Sequence, residues 1–179
     1  MSKKPRELCH EEKLALPYRP CVGAIVVNRE GLAWVGRRLP NEEYVDAKRL
    51  WQFPQGGIDA DEDPESAARR ELFEETSIRS LSLLAEVPGW LTYDLPEELV
   101  GIALKGKFRG QKQRWFVYAF EGEESEINVA QPPDGHTAEF DAWEWIMIED
   151  APKRAVAFKV GLYQQLIEAL RNNSALAWA

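Results

Sequence analysis

The chain has 179 residues and a mass of 20.4 kDa, the size of one domain with a substantial core. Hydrophobic residues make up 45% and charged residues 29%, and no run of about 18 apolar residues occurs, so no membrane span is expected. A net charge of −8 argues against a broad basic surface for nucleic acid, and no DNA partner is expected. It leaves room for nucleotides, because metal ions can bridge an acidic site and a polyphosphate.

Cys9 and Cys21 are too few for a disulfide framework and fit a reducing compartment. The polar start MSKKPRELCHEEK has no apolar signal core, so the expected location is the cytoplasm. Residues 1–17 read as a flexible N-terminal arm, 18–171 as a single domain and 172–179 as a tail. Cys21–Asn28 and Leu32–Arg38 are β-rich runs joined by a hairpin signal, Arg29-Glu30-Gly31. Residues 40–50 read as a polar loop that could border a ligand cleft. Trp51–Pro54 is a short apolar strand leading into Gln55-Gly56-Gly57.

A helix follows. Asp63 is suited to its N-cap, Pro64 to its first position and Glu65 to the positive end of its dipole. Ala68, Leu72 and Thr76 form the flank that should face a sheet. Beyond it, Leu83–Val87, Trp90–Leu95, Arg114–Phe120 and Trp143–Ile148 read as strands. Ala151–Arg171 reads as one amphipathic helix with Val156, Val160, Tyr163, Ile167 and Leu170 along its apolar stripe. This pattern supports α/β or α+β and leads no further. The seven tryptophans are assigned to the core by default. His10 and His136 have no ligand-spaced partners and are assigned to the surface, as is the acidic stretch Glu121–Glu126.

Three carboxylates carry the chemistry. Glu71, Glu74 and Glu75 stand at i, i+3 and i+4, which places them within about 100° on one helix face. Like charges at that spacing repel, and a bound cation would offset the cost. Hard oxygen ligands suit Mg²⁺ or Mn²⁺, which keep positions for water and substrate phosphates. Gly56, lacking a Cβ, lets the backbone approach such an ion. Arg70 stands four residues before Glu74 and can pair with it.

From Gly56 to Ile78 the chain resembles the Nudix hydrolase signature, through Gly56, Glu62, Arg70, Glu71, Leu72, Glu74, Glu75 and Ile78. Ser77 stands where that signature usually has glycine, so a changed C-cap with an intact metal face is expected. The resemblance implies an α/β/α sandwich with a mixed β-sheet between helices. It also implies divalent-metal hydrolysis of phosphoanhydrides with more than one Mg²⁺ or Mn²⁺ per site. The Gly56 carbonyl would be a ligand, Gly57 would shape the turn, and Arg70 and Glu62 would support the glutamates. Glu139 lies in Thr137-Ala138-Glu139-Phe140-Asp141-Ala142-Trp143, which is similar to a T-x-E-F-D-x-W stretch whose glutamate approaches the metals. The identity of the general base among Glu71, Glu74, Glu75 and Glu139 stays open.

Motifs outside the signature narrow the resemblance. They are Tyr18-Arg19-Pro20, Trp51-Gln52-Phe53-Pro54-Gln55, Trp90-Leu91-x-Tyr93, Gly110-Gln111-Lys112-Gln113-x-Trp115-Phe116 and Glu126-Ile127-Asn128. Together they resemble the bacterial RNA pyrophosphohydrolase and dinucleoside polyphosphate hydrolase branch. In that branch Arg19, Arg38 and Lys159 would contact phosphates or bases, and Phe158 would stack on a base with Tyr93 in the same pocket. Without the resemblance Phe158 reads as a core aromatic. The leading expectation is conversion of 5′-triphosphate or diphosphate RNA to 5′-monophosphate RNA. The close alternative is cleavage of diadenosine tetra- or pentaphosphate. A non-catalytic binding module is disfavoured because every signature carboxylate is present.

Overall fold

Every residue from Cys21 to Val27 is buried, which a strand shows only when both of its faces are covered. This strand, β1 (Tyr18–Val27), lies inside a seven-stranded sheet in the computed structural model, which describes residues 8–40 and 50–173. The loop anticipated over 40–50 lies, from 41 to 49, outside the described residues, as do 1–7 and 174–179. The main strand order is β3 (Trp51–Gln52), β2 (Ala33–Arg38), β1, β6 (Gly110–Phe120), β5 (Leu81–Asp94). The short β4 (Gln55–Gly57) pairs with the first half of β1, and β7 (Phe140–Ile146) pairs with β2. β1 runs parallel to β6, from Tyr18↔Gly110 to Val27↔Ala119, and the other pairings are antiparallel, so the sheet is mixed.

Two helices cover the two faces. α2 (Pro64–Thr76) buries Ala67, Ala68, Leu72 and Thr76 against Val22, Ala24, Val26, Phe116 and Tyr118. On the other face α4 (Val160–Arg171) buries Leu162, Tyr163, Leu166 and Leu170 against Ile25, Phe53, Trp115 and Val117. The Tyr163 hydroxyl accepts the Phe53 amide at 3.0 Å and ties α4 to the strand that leads into the glycine pair. The fold is the expected α/β layering of helices on a mixed sheet.

Several local expectations are corrected. Residues anticipated in a loose arm form α1 (His10–Leu14), whose His10 and Lys13 reach the Glu97 carboxylate and carbonyl at 3.1 and 3.0 Å. The two strands anticipated over 83–95 are one strand, β5, with an interruption at Pro88-Gly89 where Gly89 takes φ +78°. There the pairing steps from Val87↔Trp115 to Leu91↔Gln113, so the bulge absorbs extra residues without ending the strand.

The single helix anticipated over 151–171 is broken. α3 (Ala151–Arg154) stops at Ala155 in extended backbone, a 3₁₀ turn spans Ala157–Lys159, and α4 follows. No Gly or Pro at 155–156 dictates the break, so tertiary packing sets it by burying Ala155 and swinging Lys159 inward.

Ser77 also departs from expectation. It takes the left-handed conformation itself, φ 66° and ψ 4°, with its amide on the Phe73 carbonyl at 2.8 Å. The C-cap geometry is therefore the one glycine would give. The neighbouring Thr76 hydroxyl donates to Leu72 O at 2.6 Å and accepts the Ile78 amide, and Ser77 Oγ donates to Asn128 O.

Candidate active site

The start of α2 is fixed locally. Asp63 Oδ2 accepts the Ser66 amide at 3.0 Å, and Pro64 occupies the first turn. From there the helix period carries Glu71 and Glu75 to the sheet side and Glu74 to the rim. β4 passes beneath. A Cβ added at Gly56 would lie 1.9 Å from Glu71 Cδ, so the Glu71 carboxyl occupies the space that glycine leaves.

Gly57 was expected to shape a turn, yet it lies in extended β4. Its missing side chain makes room for Arg19, whose Nη2 would stand 2.4 Å from an added Cβ. The Arg19 guanidinium therefore sits one residue from Gly56.

Arg70 organises the acidic groups. Its Nε and Nη2 grip Glu62 at 2.7 and 2.9 Å, Nη1 reaches Glu71 at 2.8 Å and Glu74 at 3.4 Å, and Nη2 also donates to Gly57 O at 2.9 Å. The hydrogen bonds from Arg70 hold the Glu62 carboxyl down at about 2. Glu71 moves the other way, raised by burial against the opposing pull of Arg70, with Glu74 and Glu139 adding repulsion.

Glu75 is the most constrained of the set. It is 5% exposed, its Oε2 accepts the Gln55 amide at 3.2 Å, and its buried Oε1 has no hydrogen-bond partner. Burial, then the charges of Glu139 and Glu71, push its carboxyl well above the usual carboxylate range. Glu139 leans on Arg38, Oε2 to Nη1 at 3.1 Å. With Glu71 turned to Arg70 and Glu139 to Arg38, no three acidic, imidazole or thiol groups converge on one metal-sized position among the described residues.

On the opposite face of the sheet, Tyr93 and Phe158 stand with ring centroids 5.6 Å apart and tilted by 32°. Tyr93 is buried and Phe158 partly exposed, packed against the core containing α4. Lys159 is fully buried: its Nζ donates to Gln52 Oε1 at 2.9 Å and lies 5.8 Å from the Tyr93 ring. Burial lowers its amine to about 7, with Arg38 repelling it and Glu75 holding it up.

Three features escaped the sequence reading. Gln52, Gln111 and Gln113 are buried, and the Gln113 amide bridges Gln111 and Gln55 at 2.7 and 3.3 Å. Within β6, Gln111 and Gln113 share a face with the buried Trp115 and alternate with Lys112 and Arg114, and that was the available signal, since alternate residues of a strand share a face. His136 lies 3.8 Å from Glu74 at Nε2, brought there by a loop, and no spacing in the sequence foretold it. Trp90, assigned to the core with the other tryptophans, is 43% exposed. Trp178 lies outside the described residues.

The NUDIX domain model matches residues 17–166, and the chain belongs to the Nudix family. A curated relative from Rhizobium meliloti (strain 1021), named RNA pyrophosphohydrolase, is 58% identical over 156 residues, covering 86% of this chain and 93% of its own. The protein of that name from Brucella ovis is 56% identical over 163 residues, covering 90% and 92%. Among solved structures, an Ap4A hydrolase from C. elegans in a binary complex superposes with TM-score 0.56 at 18% identity, covering 86% of this chain and 99% of that one. The E. coli dihydroneopterin triphosphate pyrophosphohydrolase superposes with TM-score 0.59 at 17% identity, covering 85% and 98%. At these identities the structural likeness is one of fold.

The protein is accordingly a Nudix pyrophosphohydrolase, and enzymes of this family generally use divalent metal ions. The donor set here fits such an ion. It offers hard carboxylate oxygens, one of them buried without a hydrogen-bond partner, and burial, with mutual repulsion added, raises Glu71 and Glu75. Among the described residues, no helix is long and apolar enough to cross a membrane.

Proposed function

We propose that the protein hydrolyses the 5′-triphosphate or diphosphate of RNA to a 5′-monophosphate, acting in the cytoplasm with Mg²⁺ or Mn²⁺, more than one ion per site. The observation that carries this reading is Glu75, a buried carboxylate with an unpartnered oxygen beside Glu71 and Glu139. A charge so placed is costly without a cation. The Gly56 carbonyl, Glu71, Glu74, Glu75 and Glu139 would hold the metal ions. Such ions, when bound, neutralise phosphate charge and lower the pKa of water.

The chain's own groups have distinct tasks. Arg70, anchored to Glu62 and Gly57 O, keeps Glu71 and Glu74 in place and makes no bond to Glu75. Arg19, beside Gly57, and Arg38, beside Glu139, supply forked donors to phosphate oxygens. Glu139, held by Arg38, is a carboxylate from outside the helix that accepts a proton from the attacking water or steadies an ion. Phe158 offers its exposed face to a nucleobase, backed by Tyr93. Lys159 donates from the floor of that pocket. The names of the relatives support RNA ends as substrate.

The test offers purified enzyme with Mg²⁺ a 5′-triphosphorylated oligoribonucleotide and diadenosine tetraphosphate at equal concentration, with products resolved by chromatography. Release of pyrophosphate or phosphate with 5′-monophosphorylated RNA is expected, and chelation of divalent ions should abolish it. Faster turnover of the dinucleotide than of the RNA would make RNA ends the secondary substrate.

A further inference from the structure

Two sequence motifs meet in space through residues that the site does not use. Trp90, from Trp90-Leu91-x-Tyr93, carries Lys112 Nζ 5.0 Å and the Arg114 guanidinium carbon 5.6 Å from its ring centroid. Lys112 belongs to Gly110-Gln111-Lys112-Gln113, and Arg114 follows it. The Pro88-Gly89 bulge in β5 explains why this indole is outside. The bulge lies between Val87 and Leu91, which pack inward, and Trp90 emerges on the opposite face at the edge of the sheet.

That face is the one carrying α2 and the acidic cluster. Gly56 pairs with Val22, and Val22 pairs with Arg114, so Arg114 stands two strand spacings, about 10 Å, from the glycine beneath Glu71. α2 packs chiefly on β1 and β4, beside this patch. The charge is also unusual for this molecule. Residues 105–114 hold five cations (Lys105, Lys107, Arg109, Lys112, Arg114) and no carboxylate, in a chain of net charge −8. Two of the five have acidic partners: Arg109 pairs with Asp94 at 2.7 Å, and Arg114 pairs with Glu86.

We infer that this surface binds the single-stranded body of the RNA downstream of the 5′ end, with Trp90 stacking on a base and Lys112 and Arg114 meeting backbone phosphates. The inference rests on the RNA reading of the active site and extends it. An acidic protein that takes a polyanion by one end needs a local positive track for the rest of it. A strand passing beside α2, over the exposed side of β6 and β5, meets Arg114, then Trp90. An exposed aromatic flanked by cations is the arrangement that holds single strands without choosing their sequence. A dinucleoside polyphosphate is too short to benefit.

The test compares wild type, Trp90→Ala and Lys112→Glu on a 5′-triphosphorylated dinucleotide and on an unstructured 5′-triphosphorylated RNA of about twelve nucleotides. Both variants should lose about tenfold in kcat/KM on the long RNA and nothing on the dinucleotide. For Lys112→Glu, the dependence of log KM on log salt should also flatten by about 0.7. Equal losses on both lengths, or none on the long RNA, overturn the inference, the latter leaving the patch to a protein partner.

Binding of a fluorescent 5′-hydroxyl RNA of the same length, followed by anisotropy, separates the two readings. Failure of wild type to cleave any RNA end would retire the proposed activity. Weaker binding by both variants would still support the track, and unchanged binding would remove it. Lys112→Glu, at a partly exposed strand position, covers the case in which Trp90→Ala loosens β5.

Discussion

Gly56→Ala isolates the placement of one carboxylate from the stability of the fold. The new methyl would sit 1.9 Å from Glu71 Cδ and 2.0 Å from its Oε2, whereas ordinary contact begins at 3.4 Å, so the carboxyl must retreat by about 1.5 Å. Glu71 ends in a flexible side chain, and Gly56 is not among the residues with positive φ, so the backbone can accept alanine. The cost in stability should stay near 1 kcal/mol, a fall in Tm of about 2–4 °C.

Catalysis is far less tolerant. A displacement above 1 Å at a reacting centre costs on the order of 10²-fold, and kcat/KM for pyrophosphate release from 5′-triphosphorylated RNA should fall by that factor. Glu71→Asp, shorter by one methylene of about 1.5 Å, should cost less in the Gly56→Ala background than in wild type, because the two changes offset each other. A Gly56→Ala enzyme with wild-type kcat/KM would refute the assignment of Glu71 to the metal. A collapse of Tm would mean that Gly56 serves the fold first.

Three further predictions follow from the same geometry. Glu75→Gln keeps shape but removes buried charge, so Tm without divalent ions should rise, its increase on adding Mg²⁺ should vanish, and turnover should fall on the order of 10²-fold; a retained Mg²⁺-dependent increase would exclude Glu75 as a ligand. For Lys159, the folded value of about 7 lies below the unfolded 10.5, so between them the unfolded chain binds more protons and stability rises with pH. Urea unfolding should therefore show wild type gaining on Lys159→Met as pH climbs through that window, and parallel pH profiles would mean that the amine keeps its charge in the fold. Ser77→Gly should relieve the left-handed strain at the C-cap by about 1 kcal/mol, raising Tm by about 2–4 °C with turnover unchanged, and a lower Tm would show that the Ser77 hydroxyl bond to Asn128 O outweighs the strain.

What was legible in the sequence was local. Asp63 and Pro64 announced the start of α2, and the period of Ala68, Leu72 and Thr76 gave its buried face, because capping and helical spacing act over a few residues. The hairpin at Arg29-Glu30-Gly31 was legible for the same reason: Asn28 Oδ1 takes the amides of Glu30 and Leu32, and Gly31 supplies φ +78°. The break at Ala155 was not legible, because it answers to the burial of Lys159 against Gln52, residues more than a hundred positions apart. The outward turn of Trp90 depends on a bulge whose signal, Pro88-Gly89, reads equally as a gap between two strands. His136 comes near Glu74 through a loop, and its sequence neighbours carry no trace of that destination. For the acidic cluster, the spacing gave the helix face, but not that Glu75 is sealed in while Glu74 remains at the rim.

The parallel pairing of β1 with β6 has a consequence for biosynthesis. Tyr18 and its neighbours leave the ribosome long before Gly110 and the strand that must lie beside them, and β2 waits longer still for β7. Until then the most apolar segment of the nascent polypeptide has an open edge, a state that invites misassociation and slows the search for native pairing. Arg38 and Glu139, drawn together by the last of these pairings, make catalytic competence a late event on the folding route.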